Sequence, residues 1–239
     1  MKETVFPIVT YEPKTNRWKC LGTGFFINPV GAFITAKHLF MDRENIQLEP
    51  TLVGIQNIDN KEYHVRPVKN LIAHKDSDFM IGMLGKRRIE SKDIKPELSK
   101  FCVLDLEPLQ NGDEIYTYSF PNTSREDFDD ESTEFEFRGT FSYGKIIDFH
   151  ENGSPVVRNR CFQTNMKIES GASGGPVFKK GYIVGVNSSS FSLAEDDEPI
   201  SFITPIDYIL DLTVRENGKE ISIRDLIKSG HIKTKDNFA

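Results

Sequence analysis

Cysteine is scarce and scattered in this chain. Cys20, Cys102 and Cys161 are odd in number and lie far apart, which is unlike a disulfide framework and shows no metal-ligand spacing. Buried free thiols are the expectation, and no metal site is expected. No run of about twenty apolar residues occurs, so no membrane-spanning helix is expected. The opening Met1-Lys2-Glu3-Thr4-Val5-Phe6-Pro7 lacks the apolar core and small-residue cleavage site of a signal peptide. With the cysteine pattern, this predicts a reducing, cytoplasmic location. Basic charge is also short. The 30 Lys and Arg face 36 Asp and Glu for a formal charge of −6, which argues against nucleic-acid binding. The one basic cluster, Lys86-Arg87-Arg88, reads as a hairpin turn.

What the chain does have is enough apolar material for a core. Hydrophobic residues make up 38% of its 239 positions, and 18 of them are Phe. That length fits one large domain or two small lobes. Strand-like runs at 6–10, 19–27, 32–35, 46–58, 62–74 and 79–84 predict a first barrel, over residues 1–98. Residues 86–109, holding Pro96 and Pro108, read as the connection. Runs at 113–118, 134–149, 155–163, 177–186 and 200–204 predict a second barrel, within residues 99–205. Asn152-Gly153 is a hairpin-turn signal between two of them. Beyond Pro205, Ile206, Ile209, Leu210 and Val214 recur at helical spacing, as do Ile223, Leu226 and Ile227. Residues 206–239 are therefore expected to be amphipathic helices packed on the barrels.

The most informative stretch is Glu169-Ser170-Gly171-Ala172-Ser173-Gly174-Gly175-Pro176. Glycines around a serine permit positive φ and close backbone approach. A hydroxyl there can sit beside free N–H groups, as acyl transfer requires. A plain Gly/Ser turn would carry the same residues, so the rest of the chain must decide.

A serine nucleophile needs a base. His38 follows an apolar strand, a Pro/Gly turn and a second apolar strand, which puts it on scaffold rather than mid-loop. His64, His74, His150 and His231 sit among charged or turn residues and read as surface histidines. Asp78 opens the apolar run 79–84, where it could accept from an imidazole and fix its tautomer. Asp76, two residues earlier in a polar turn, is the competing carboxylate. The order His38, Asp78, Ser173 excludes an α/β-hydrolase, in which a helix follows the serine and the acid and histidine come after it. Here Ser173 precedes two short strands around Lys179-Lys180-Gly181.

From about Gly22 to Ile209 the sequence resembles the trypsin-like peptidases, and within them the HtrA/Deg branch. The resemblance rests on Gly22-Thr23-Gly24-Phe25-Phe26-Ile27 with the strand ending in Ala36-Lys37-His38, on Asp78-Phe79-Met80-Ile81, and on residues 163–176 around Ser173. It implies an all-β, chymotrypsin-like pair of six-stranded antiparallel barrels. It also implies peptide-bond hydrolysis by His38, Asp78 and Ser173. Backbone N–H groups of Gly171 and Ser173 would form the oxyanion hole. A protein or peptide substrate would lie as an added strand along Val186-Asn187-Ser188-Ser189. No cofactor is called for, and an activating protein partner that orders the oxyanion loop is the further expectation. The other reading is a peptide-binding module on the same fold whose triad never aligns.

The chain departs from that family in several places. Fewer than about forty residues follow Pro205, below the size of a folding domain, so no PDZ module is expected after the peptidase. Ala172 stands where digestive trypsins carry the aspartate that holds a newly cut N-terminus. Residues 123–137 are longer and more acidic than the family's loop and read as a solvated loop. Lys167, six before Ser173, falls toward the base of the pocket for the side chain preceding the cut. A lysine there disfavours Arg and Lys. It either points away and leaves a small apolar pocket or points in and selects an acidic residue.

Overall fold

The computed structural model describes residues 2–12, 17–40, 52–58, 62–85, 87–89, 92–94, 100–121, 123–128, 133–191, 199–216 and 218–238. Segments rich in Val, Ile and Phe form the strands, as pleated, buried surfaces favour. β1 (Val5–Glu12), β2 (Arg17–Phe26), β3 (Ala32–Thr35), β4 (Leu52–Ile58), β5 (Glu62–Ala73) and β6 (Met80–Leu84) close into one antiparallel barrel in the order β1-β2-β3-β6-β5-β4. A small hairpin, β7 (Arg87–Ile89) and β8 (Lys92–Ile94), follows. The second barrel takes β9 (Glu114–Ser119), and a further hairpin, β10 (Ser124–Asp127) with β11 (Thr133–Glu136), interrupts it. It continues with β12 (Thr140–His150), β13 (Cys161–Thr164), β14 (Pro176–Lys179), β15 (Tyr182–Phe191) and β16 (Ile200–Pro205). Its order is β12-β13-β16-β15-β14-β9, also closed. Both rings share one connectivity: the sixth strand returns to the third, and the fourth closes on the first. The all-β expectation of two six-stranded antiparallel barrels is met.

Phenylalanines fill the first barrel. Phe6, Phe26 and Phe33 are fully buried, with the Phe6 and Phe26 ring centroids 4.6 Å apart. Gly24 and Gly54 leave room for the Phe6 ring; a Cβ at either would come within 2.9 Å of it. Each such ring contributes about 1.5–3 kcal/mol through burial. The barrels meet along a strap at residues 101–106. Cys102 N donates to Phe26 O of the first barrel, and Asp105 N donates to Ile183 O of the second. Leu104 N donates to Lys233 O near the C-terminus, and Lys235 N returns a bond to Leu104 O.

Several expectations change. Arg87 and Arg88 belong to a strand, β7, rather than to a turn, and Lys86 lies outside the described residues. Residues 134–149 split into β11 and β12, since Gly139 passes against the Tyr118 ring where a Cβ has no room. Within the acidic segment 123–137, residues 124–127 and 133–136 pair as antiparallel strands rather than forming a plain loop. Most of 155–163 is irregular. Pro155 offers no N–H, and the Ser154 hydroxyl accepts from Val156 N and Val157 N in place of a sheet ladder. Of the strand expected over 46–58, residues 46–51 lie outside the described residues.

The first C-terminal helix is only a 3-10 turn, Ile206–Asp211. Val214 instead enters a hairpin of β17 (Thr213–Glu216) and β18 (Lys219–Ser222), turned at Gly218 with φ 77°. α1 (Ile223–Lys228) does form, capped by the Ser222 hydroxyl accepting from Asp225 N, and α2 (Lys235–Phe238) follows.

His64 and His74 are buried, at 7% and 5% exposure, not superficial. β5 is inverted at this point, with His64 and Arg66 facing in and Val65 facing out. Arg66 is met inside by Gln56 Oε1 at 2.9 Å. Among the described residues, no helix is long and apolar enough to cross a membrane.

Candidate active site

His38 rides on a single 3-10 turn, Lys37–Leu39, just past β3. Leu39 and Phe40 anchor this turn in the core, at 6% and 0% exposure. The imidazole is therefore carried by a short, well-held element. Asp78 lies two residues before β6 and uses both carboxylate oxygens on this one residue. Oδ1 accepts from the His38 main-chain N–H at 2.9 Å, and Oδ2 lies 2.8 Å from Nδ1. A carboxylate only accepts, so Nδ1 carries the proton and Nε2 of the neutral ring keeps its lone pair. Crowding by protein atoms pulls the imidazole pKa down, but the hydrogen bond and charge of Asp78 outweigh it, and the net shift is upward. Asp76 is turned to solvent beside Lys75. Lys37 pins the same loop through His74 O at 3.0 Å.

Ser173 comes from the second barrel, on a turn gripped by the first. Thr23 N donates to Ser173 O at 2.9 Å, and Thr23 Oγ1 donates to Gly171 O at 2.8 Å. Thr23 O in turn accepts from Thr35 Oγ1 at 2.7 Å, close to where β3 leads into His38. Gly22 lies between the two site segments. A Cβ there would sit 2.6 Å from Ser173 O and 2.7 Å from the Leu39 side chain, so only glycine allows this approach. Asn187 braces the turn from below. Its N–H donates to Gly175 O, its carbonyl accepts from Gly174 N, and its amide nitrogen donates to Ala172 O at 3.1 Å. Among the described residues, no hydrogen bond joins Ser173 Oγ to His38.

The turn of residues 169–172 is closed by Ala172 N donating to Glu169 O at 2.9 Å. Gly171, its third residue, has φ 91°, the signature of a type II turn. A type I turn at the same place would reverse the Ser170–Gly171 peptide. Neither Gly171 N nor Ser173 N donates to an acceptor among the described residues.

The four residues expected to meet substrate fare differently. Lys167 points to water, 67% exposed, and pairs with Glu169 at 2.6 Å. Val186 is paired on both sides, with Pro176 and Thr204, and the Asn187 main chain is committed to the Ser173 turn. The pairing of β14 with β15 ends at Val186, so among the described residues the free edge begins at Ser188 rather than at Val186.

Two residues overlooked in the sequence stand out here, Thr23 and Asn159. Asn159 Oδ1 accepts from Asp78 N at 3.0 Å. Thr23 had a weak signal, as the only side chain between the two glycines of Gly22-Thr23-Gly24. Asn159 had none.

A family model described as "Trypsin-like peptidase domain" matches residues 22–186. No curated protein matches the chain significantly. Solved structures with the same fold include the Rv3671c protease of M. tuberculosis in its active form, at 18% identity and TM-score 0.59, covering 87% of this chain and 78% of that one. Deg5 is similar at 19% identity and TM-score 0.60, covering 98% and 92%. The HtrA-type protease AlgW, solved with a tripeptide, is similar at 15% identity and TM-score 0.62, covering 96% and 62%. Likeness at such identities speaks for the fold, whereas the family match spans well over half of the sequence. This chain belongs to the trypsin-like peptidase family.

Proposed function

We propose that the chain is a serine endopeptidase that cuts protein or peptide substrates with Ser173, His38 and Asp78. The observation carrying this reading is the 2.8 Å contact of His38 Nδ1 with Asp78 Oδ2, which leaves Nε2 as the base. Nε2 takes the Ser173 proton as Oγ attacks the scissile carbonyl and later returns it to the leaving amine. Asp78 stabilises the imidazolium without being protonated. The N–H groups of Gly171 and Ser173 receive the developing oxyanion. The substrate adds as a strand to the free edge at residues 188–190, through main-chain bonds. With Lys167 turned to water, the pocket for the side chain before the cut is small and apolar. Flipping the 170–171 peptide would swap an N–H for a carbonyl in the hole. That gives an activating partner a defined element to order. Three free thiols are consistent with a reducing, cytoplasmic setting.

The lack of a Ser173–His38 hydrogen bond among the described residues favours a second reading, a peptide-binding module with a silent triad. Such bonds are often long before substrate arrives, so this observation is the weaker one. A fluorophosphonate probe decides. Covalent labelling at Ser173 that disappears in His38→Ala supports the peptidase. Persistent silence, with peptide binding retained, supports the module.

A further inference from the structure

We propose that Asn159 is a positioning residue for Asp78, fixing the aspartate's main chain and so the angle at which its carboxylate meets His38. This deepens the peptidase reading and rests on it. Asn159 is 6% exposed and sits in the irregular stretch before β13, on the second barrel. Its side-chain orientation is set by its neighbours. Asp78 N–H can only donate, and it meets Oδ1 at 3.0 Å. Arg160 O can only accept, and it meets Nδ2 at 2.8 Å. The same Nδ2 lies 3.3 Å from Thr204 Oγ1, which is 2.6 Å from Ser188 Oγ. A continuous set of buried polar contacts thus runs from the first residue of β15's free edge to the aspartate of the other barrel.

The geometry gives Asn159 leverage. Both Asp78 oxygens are spent on His38, one on its main chain and one on its ring. A tilt of the Asp78 backbone would therefore disturb both contacts at once. The other charged groups nearby are engaged elsewhere. Lys75 pairs with Asp76, Arg160 with Asp207, and His74 faces Asp211 at 3.8 Å, while Lys37 is held by the carbonyls of His74 and Lys75. Among the described residues, Asn159 is the side chain that reaches Asp78 from the second barrel, and it carries no charge of its own.

The test reads the His38 ring proton by NMR titration in the full chain, which requires no turnover. Asn159→Ala should lower the His38 pKa by up to about one unit, because a loosened carboxylate stabilises the imidazolium less. Asn159→Asp keeps the acceptor and adds a negative charge, so it should raise the His38 pKa instead. A residue that merely supported the fold would move both variants the same way. Should Asn159→Ala fail to fold, Asn159→Asp and the unaltered protein still answer, since the Asp78 amide proton should resist exchange in the native chain. In turnover, Asn159→Ala should lose roughly 10²-fold in kcat with little change in KM, the scale of a small misplacement. An unmoved His38 titration in folded Asn159→Ala, parallel shifts in both variants, or a freely exchanging Asp78 amide would each overturn the assignment. If the titrations shift as stated but no peptide is ever cut, Asn159 keeps its role and the peptidase reading falls.

Discussion

Thr23 of the first barrel donates its main-chain N–H to the Ser173 carbonyl of the second, 2.9 Å away, while its hydroxyl holds Gly171 O. The two barrels are thus joined at Ser173 itself as well as along the strap at Leu104.

Thr23→Val keeps the side-chain shape and removes the hydroxyl. Gly171 O then loses its donor, and Phe120 N loses an acceptor now 3.3 Å away. Two stranded groups should cost about 1–3 kcal/mol each at most. Thermal melts should show a clear loss, and probe labelling of Ser173 should slow further than the melt implies. A variant as reactive as the parent would show that the clamp is dispensable.

Gly171→Ala should be more severe for catalysis than for folding. Alanine resists φ 91°, and its Cβ would lie 2.7 Å from Phe120 O. The residue escapes by flipping to the type I turn, which turns the N–H away from the oxyanion. Loss of one such donor costs roughly 10²–10³ in turnover. Peptide hydrolysis assays with circular dichroism on the same sample separate the two effects.

The pH profile should follow His38. Its pKa stands above the ordinary 6.5, and only the neutral ring is a base, so the acid limb of kcat/KM should lie above pH 6.5. Asp78→Asn should move that limb down and lower the rate, whereas Asp76→Ala should leave both alone. For stability the sign is the opposite one. A raised histidine pKa favours the folded state at low pH, and that contribution fades as pH rises through the folded-state value. Ser173→Ala and His38→Ala should each abolish nearly all activity and combine non-additively.

Cleavage profiling on a peptide library should return small apolar residues before the cut. Lys167 is paired with Glu169 in solvent, so Lys167→Ala should leave the profile unchanged. Predominant cutting after Arg or Lys, or after Asp or Glu in a Lys167-dependent way, would contradict the pocket argument.

Thiol counting on denatured, unreduced protein should return three free groups. Before denaturation Cys20 should react first, since it is only partly buried, whereas burial pushes Cys102 up to about 12 and Cys161 to about 11.

Much of this architecture is legible in the sequence because it is local. Asp78 could be preferred to Asp76 because it abuts the apolar run of β6, and Asp78 is the residue that meets His38. The serine turn announced itself by its glycines. Asn159 could not be found that way. Its partner Asp78 is 81 positions away, and the stretch around it looked like a strand. Thr23 reaches Gly171 across 148 positions. His64 and His74 read as superficial because their neighbours are polar, whereas β5 turns His64 and Arg66 inward and Val65 outward, and the His74 ring just past it packs against Tyr208. Relations between barrels leave no periodic trace in a single chain.

The strap through Leu104 imposes an order on assembly. Its strand-like partners, Ile183 and Thr234, belong to the second barrel and to the last turn of chain before α2. During synthesis the first barrel, with His38 and Asp78, emerges long before either partner exists. Contacts so distant in sequence form slowly and late. The junction between the barrels is therefore complete only when residues 233–235 dock against Leu104. A nick near Thr234 should therefore loosen this junction without touching His38, Asp78 or Ser173.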